Sequence, residues 1–307
     1  MFKLKRSDKI TLQLNKENSW ESRAAFNPAA IRDGDSVHLL YRAVEGDNFS
    51  TIGYARLDRN GEIRERRQKP LINREYDYEK QGVEDPRICK IDDCYYILYT
   101  GYDGQTCRVC LASTYDFKKI TKHGVVIPDI LDKDAMFFPE PVKGKLVLMH
   151  RIEPNIQIAE FEDINHLLKI DEGFWPHYFS HLDDFTIMRP LYSWEAEKIG
   201  GGAPPIKTKE GWLVIYHGVD RDLIYRAGAA LLDLENPYKI LARFPEPILE
   251  PEHDYEKQGD VPNVVFPEGA VVFDNQLQVY YGGADKVVGL AVANLDELLQ
   301  ELMKYKV

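Results

Sequence analysis

One pattern returns five times along the 307 residues: a segment bearing a proline, a turn, then a short aromatic and β-branched run ending on a polar residue or glycine. The runs are Val37-His38-Leu39-Leu40-Tyr41-Arg42, Tyr95-Tyr96-Ile97-Leu98-Tyr99-Thr100, Leu146-Val147-Leu148-Met149-His150-Arg151, Trp212-Leu213-Val214-Ile215-Tyr216-His217 and Leu277-Gln278-Val279-Tyr280-Tyr281-Gly282. Their last residues lie 58, 51, 66 and 65 positions apart, and Pro28, Pro86, Pro139, Pro205 and Pro267 stand 12 to 15 residues before those ends. A second apolar run carrying alanine follows each, as in Ile52-Gly53-Tyr54-Ala55 and Gly289-Leu290-Ala291-Val292-Ala293. The hexapeptide Asp77-Tyr78-Glu79-Lys80-Gln81-Gly82 recurs intact as Asp254-Tyr255-Glu256-Lys257-Gln258-Gly259, ahead of the second and fifth runs. Such a period marks a repeat architecture, and repeats of four short antiparallel strands are propeller blades. The expectation is an all-β chain: a single five-bladed β-propeller domain over residues 1–307. Helical repeats are disfavoured, because the runs alternate or are β-branched and are broken by Gly and Pro. One helix is predicted, C-terminal at about 295–306, with Leu295, Leu298, Leu299 and Leu302 on one apolar face.

Composition narrows the partners. The formal charge is 39 − 50 = −11 with no dense basic cluster, which argues against a nucleic-acid partner. Arg64-Glu65-Arg66-Arg67 reads as a solvated strand end. No apolar run follows Met1-Phe2-Lys3 and no stretch approaches the length of a membrane span, so a cytoplasmic protein without a membrane partner is expected, with homo-oligomerisation left open. The 18 Tyr, 13 Phe and 4 Trp suit both strands and sugar-binding surfaces. The four cysteines, Cys89, Cys94, Cys107 and Cys110, read as buried free thiols rather than a zinc site, since Cys107 and Cys110 fall in a strand-like run where such spacing faces opposite sides. An aromatic and histidine-rich insert at 171–193 is either a lid or a satellite core, and the lid is the reading adopted here.

Chemistry concentrates in Gly82-Val83-Glu84-Asp85-Pro86-Arg87, where two acids, a proline and an arginine precede a strand. Pro86 is expected to bias Asp85 toward extended geometry and hold its carboxylate on a stiff backbone, as a proton donor requires. The plainer reading is an Asp-Pro turn with Arg87 neutralising Glu84. If the repeats converge on a central channel, they bring together Asn27, Arg42, Asp85, Lys133, Arg151, His217 and Asp285. Such a set suits a polar, partly anionic ligand, and Lys133, Arg151 and His217 could together hold a phosphate. Each also has a structural reading: Arg151 beside Glu153, Lys133 between Asp132 and Asp134, His217 as a strand-end histidine.

Several of these segments together resemble glycoside hydrolase family 130, the inverting β-mannoside phosphorylases with a smaller group of β-mannosidases. They are Gly82 to Arg87, Asp132-Lys133-Asp134-Ala135 with Phe138-Pro139, His150-Arg151, Trp194-Glu195 with Lys198-Ile199-Gly200, Tyr216-His217-Gly218-Val219, and Tyr280-Tyr281-Gly282-Gly283-Ala284-Asp285. The resemblance runs from about Asn27 to the C-terminal helix, and the family's fold is a five-bladed propeller. It implies that Asp85 is the catalytic acid, that Asn27, Arg42 and Asp285 hold the mannosyl unit, and that Lys133, Arg151 and His217 bind phosphate. It also implies an inverting phosphorolysis, of the β-1,4-mannooligosaccharide or mannosyl-glucose type, that releases α-mannose 1-phosphate. Inorganic phosphate is then the co-substrate, and no metal or organic cofactor is required. The aglycone and the choice between 1,4 and 1,2 linkage stay open. Two departures stand out. Lys133 occupies a position where some members have arginine, and Glu268 falls where several phosphorylases carry a small or neutral residue. An acid there makes an inverting β-mannosidase, with Glu268 or Glu195 as base, the second reading; a non-catalytic sugar-binding propeller is the third.

Overall fold

A computed structural model describes residues 2–128 and 132–307 and is built almost wholly of antiparallel strands. Among the described residues they form five units, four of four strands and one of five. The first comprises Ala24–Asp33, Ser36–Val44, Ser50–Asp58 and Ile63–Arg66; the second Gly82–Ile91, Cys94–Tyr102, Cys107–Thr114 and Thr121–Ile127. A single parallel pairing, Ser50 with Gly82, joins these two into one sheet. The third comprises Asp132–Phe137, Leu146–Ile152, Ile156–Phe161 and Thr186–Met188. In the fourth, Lys198–Gly201 and Ile206–Lys207 both pair with Trp212–Val219, followed by Tyr225–Leu232 and Ile240–Arg243. The fifth takes Val265–Phe273, Gln276–Gly283 and Val287–Asn294, and the N-terminal strand Lys5–Arg6 completes it by pairing with Val292 and Ala291.

The hydrophobic core lies between units. Adjacent Leu39 and Leu40 point to opposite faces of their strand, and both are fully buried. Leu39 packs with Val271 and Tyr280 of the fifth unit, Leu40 with Ile88 and Ile97 of the second. Three further clusters join the second unit to the third, the third to the fourth and the fourth to the fifth. Strands buried on both faces explain why the runs read as continuously apolar. The first strands of neighbouring units pack on one another, from Val265–Phe273 against Ala24–Asp33 round to Asp132–Phe137 against Lys198–Gly201.

A buried glutamate locks four of the units from outside the sheets. Glu21, Glu79, Glu195 and Glu256 sit in short helical turns just ahead of the first strands and are fully buried. Each accepts from the tyrosine of its own unit's second strand: Tyr41 at 2.8 Å, Tyr99 at 2.7 Å, Tyr216 at 2.5 Å and Tyr281 at 2.7 Å. Each also meets a cation: Arg66 at 2.6 Å, Lys122 at 2.6 Å, Arg243 at 2.6 Å and Arg6 at 2.8 Å. In the third unit His150 stands in the tyrosine's place, bridging Asp132 at 2.6 Å and the Tyr178 hydroxyl at 2.7 Å.

Tyr178 comes from the 171–193 insert, which corrects the lid reading. The insert's helix Phe174–Ser180 buries Trp175 and Tyr178 against Phe161 and Leu148 on the flank of the third unit. Its aromatic excess serves this satellite core. The C-terminal helix is shorter than expected, Leu295–Leu302, with Asn294 accepting from the Glu297 amide at its start. Leu298, Leu299 and Leu302 are buried against the fourth and fifth units, and the chain then turns to bridge Lys306 to Ala242. All four cysteines are free thiols; Cys107 is half-buried and the others buried.

Candidate active site

The first strands of four units carry a β-bulge at the same level. Register breaks between Phe26 and Pro28, Glu84 and Arg87, Lys133 and Met136, and Pro267 and Gly269. A bulge inserts a residue and re-aims its side chain. Asn27, Asp85 and Asp134 take left-handed backbone, with φ of 47°, 49° and 56°. Asp85 is therefore not extended as Pro86 suggested. The bulge overrides the bias that proline imposes on its predecessor, and Asn and Asp tolerate this region better than other side chains. Holding such a conformation costs about 1–3 kcal/mol, which the surrounding bonds must offset.

A cavity of about 240 Å³ opens above these bulges, lined by Asn27, Arg42, Asp85, Lys133, Arg151 and Asp285 among others. Six of the seven residues singled out from the sequence thus meet in one place. Asp85 accepts from Asn27 Nδ2 at 2.9 Å and from Arg42 Nη1 at 3.4 Å. Burial pushes its pKa up, but Arg42, Lys133 and the Asn27 amide outweigh that and hold it below the ordinary value, so the resting group is a carboxylate. Asp285 goes the other way. Burial and the nearby Asp85 charge exceed the help from Arg42 and lift it to about 6.

Lys133 and Arg151 face each other across paired strands of the third unit. Arg151 Nε lies 3.2 Å from Asp134 Oδ2 and Nη2 3.5 Å from Glu153. Asp134 is buried, a state that disfavours its charge, yet Arg151, His217 and Arg87 bring its pKa down to about 2. Arg151 Nε, although close to Asp134, and Asn27 Oδ1, which faces Gly282, are buried polar atoms without a hydrogen-bond partner.

His217 does not join this set as a cation. It is fully buried, does not line the cavity, and packs with its ring tilted 4.4 Å from that of Phe266. Burial lowers its pKa to about 3, so the ring is neutral. The cation that joins Arg42, Lys133 and Arg151 on the cavity wall is instead Lys198, at the start of the fourth unit and 2.8 Å from Glu153. Sequence reading quoted Lys198 within a motif without assigning it a role; its position at the head of a first strand was the available signal. Tyr225, Phe266, Val261 and Val264 also line the cavity and were not foreseen.

The plain reading of Arg87 is corrected too. Glu84 pairs with Arg42 at 2.7 Å, whereas Arg87 meets Asp134 at 3.2 Å and Glu268 at 2.5 Å. Neither candidate hydrolytic base lines the cavity. Glu195 belongs to the buried locks described above, and Glu268 is fully buried beneath the bulges, its pKa raised well above normal by burial despite Arg87.

The sequence model of glycoside hydrolase family 130, described as β-1,4-mannooligosaccharide phosphorylase, matches residues 3–304. The chain belongs to that family. Within family 130 it is 44% identical over 310 residues to a 1,2-β-oligomannan phosphorylase of Thermoanaerobacter sp. (strain X514), covering 97% of this chain and 99% of the relative. It is 43% identical over 316 residues to a β-1,2-mannobiose phosphorylase of the same organism, again covering 97% and 99%. The β-1,2-mannobiose phosphorylase of Listeria innocua, solved with β-1,2-mannobiose, superposes with a TM-score of 0.82 at 26% identity, covering 97% of this chain and 99% of that one.

Proposed function

We propose that this family 130 chain is an inverting phosphorylase that cleaves β-1,2-linked mannosides with inorganic phosphate and releases α-mannose 1-phosphate. Its five units are read as the blades of one five-bladed propeller over residues 1–307, with the cavity at one mouth of the central channel. The observation that carries the reading is the wall of that cavity: the Asp85 carboxylate, held on left-handed backbone, beside cations from other units, Lys133, Arg151 and Lys198. Asn27, Arg42 and Asp285 would hold the non-reducing mannose. The bond from its anomeric carbon to the glycosidic oxygen breaks, that oxygen takes a proton from Asp85 directly or through a sugar hydroxyl, and a phosphate oxygen bonds to the opposite face of the carbon. Only one protein carboxylate is needed, because phosphate replaces the base-activated water of an inverting glycosidase. No metal or organic cofactor enters the scheme. His217 would serve phosphate as a neutral ring behind the cations, shaping the wall rather than adding charge.

The β-1,2 linkage replaces the β-1,4 or mannosyl-glucose types favoured by sequence reading, and what supports it is the near full-length likeness to two relatives named for β-1,2 substrates. The hydrolase reading loses ground because Glu195 and Glu268 lie away from the cavity. The test is direct. The protein is incubated with β-1,2-mannobiose, β-1,4-mannobiose and mannosyl-glucose, with and without phosphate, and mannose 1-phosphate is measured. Phosphate-dependent product from β-1,2-mannobiose at a higher kcat/KM than from the other two is expected. Equal release of free mannose without phosphate would sink the phosphorylase reading, and a preference for β-1,4-mannobiose would sink the linkage.

A further inference from the structure

Where four units place a polar bulge residue, the fourth has Gly200-Gly201-Gly202. A Cβ on Gly200 would come within 2.4 Å of Asp134 Oδ2, and one on Gly202 within 2.6 Å of the Pro267 carbonyl oxygen. The glycines therefore let this backbone close on its neighbours, and a side chain from the second unit supplies the polar group it lacks. Arg87, 1% exposed, donates from Nε to the Gly202 carbonyl at 2.6 Å and from Nη2 to the Gly201 carbonyl at 3.3 Å. Nη2 also reaches Asp134 Oδ1 at 3.2 Å, while Nη1 donates to the carbonyl of Asp85 itself at 3.0 Å and lies 2.5 Å from Glu268 Oε1. One guanidinium thus ties together four of the five units.

We infer that Arg87 is a positioning residue for the phosphorolysis proposed above, and the inference rests on that reading. Arg87 fixes where the proton donor stands relative to the phosphate cations: it holds the Asp85 backbone on one side and, on the other, Asp134, which in turn lies beside Arg151. Glu268 packs directly against this arginine, its Oε1 2.5 Å from Nη1. That contact gives Glu268 a structural place off the cavity wall. A planar fork can donate to four acceptors at fixed angles; a lysine ammonium, with three donors on one atom, cannot.

Two variants test it. Arg87→Lys keeps the charge, so its losses are geometric. The expected result is a folded protein by thermal melt, kcat down about 10²-fold, the effect of a displacement of about 1 Å, a higher phosphate KM, and a mannoside KM within about twofold. Asp134→Asn gives opposite signs for two explanations. If Asp134 only adds negative potential, its removal tightens phosphate; if it holds Arg151 in place, phosphate binding weakens, by about tenfold for one lost charge-assisted contact. Calorimetric titration with inorganic phosphate reads this without turnover, and decides the matter should Arg87→Lys fail to fold. Wild-type kcat and phosphate KM in Arg87→Lys, an activity loss matching its unfolded fraction with both KM values unchanged, or tighter phosphate in Asp134→Asn would each overturn the assignment. Wild-type protein is run alongside, and its failure to bind phosphate or to form mannose 1-phosphate counts against the phosphorolysis reading instead.

Discussion

Replacing Arg151 with Ala removes a cavity cation whose two contacts are both acidic, Asp134 at 3.2 Å and Glu153 at 3.5 Å. Two losses follow for phosphate. A charge-assisted hydrogen bond of about 1.5–3 kcal/mol disappears. Asp134, with its pKa of about 2, stays ionised through Arg87 and now faces the incoming anion unscreened. At about 5 Å and an effective dielectric constant of about 40, each pair of unit charges repels by about 1.7 kcal/mol. Allowing for rearrangement of Lys198 toward the gap, a net loss of about 3 kcal/mol corresponds to a phosphate KM raised about 10²-fold. The mannoside KM should move less than about threefold, because the mannose contacts fall to Asn27, Arg42 and Asp285. The assay is initial-rate kinetics with phosphate varied at saturating mannoside and the reverse, at a temperature where a thermal melt shows the variant folded. A mannoside KM that rises while that for phosphate stays put would refute the reasoning, and the cations would then be a structural network.

Asp85→Asn should keep the fold and lose at least about 10²–10⁴-fold in kcat, the usual cost of removing a general acid; near-normal turnover would mean the wrong acid has been chosen. Glu195→Gln should lower stability by about 3 kcal/mol, as expected when one partner of a buried charge pair is removed, while kcat of the folded fraction is unchanged. Denaturant melts and active-fraction kinetics check it, and a selective kcat loss in a stable protein would restore Glu195 as a catalytic base. Asp285 is raised from 3.8 to about 6, so it costs stability as pH rises through that window, where the unfolded chain ionises and the folded one does not. Asp285→Asn should accordingly melt close to wild type near pH 4 and be more stable by up to about 3 kcal/mol at pH 7, with mannoside affinity reduced. A variant less stable at pH 7 would contradict this.

Much of the fold was legible because each second strand buries both faces, so Leu39 and Leu40 both had to be apolar whatever the neighbouring unit supplied. The repeated turn was legible only in part. The identical hexapeptides were visible, but the wider signal is an aromatic followed by the buried glutamate, which also covers Ser19-Trp20-Glu21 and Ser193-Trp194-Glu195. Recognising it would have placed Glu195 in the scaffold at once. Lys5–Arg6 carries no pattern over two residues, so its closure of the fifth unit was invisible. At the site, residue identities were readable and states were not. His217 is neutral because of burial, Asp85 is left-handed because of a register break, and Arg87 reaches the third, fourth and fifth units because glycines elsewhere make room. Each depends on what other units bring to the same point.

The resting state of Asp85 has a consequence for the order of events. As a proton donor it must be protonated, yet Arg42 and Lys133 hold it as a carboxylate in the unliganded protein. Bound phosphate reverses that balance. It engages Lys133, which otherwise favours the Asp85 anion, and places up to two negative charges nearby. A dianion about 6 Å away at an effective dielectric constant of about 40 disfavours the carboxylate by about 3 kcal/mol, a change large enough to read in a pH profile. Activity falls as pH rises through the pKa of a required acid, so the alkaline limb of the mannoside kcat/KM should lie lowest at trace phosphate and move upward as phosphate saturates. The measurement is that limb at phosphate concentrations well below and well above its KM, with ionic strength held constant by sodium chloride. A limb that stays fixed while phosphate goes from trace to saturating would mean that the nucleophile does not arm the acid, and that Asp85 draws its proton from a group already present in the cavity, for which Asp285, with its pKa of about 6, is the candidate on the wall.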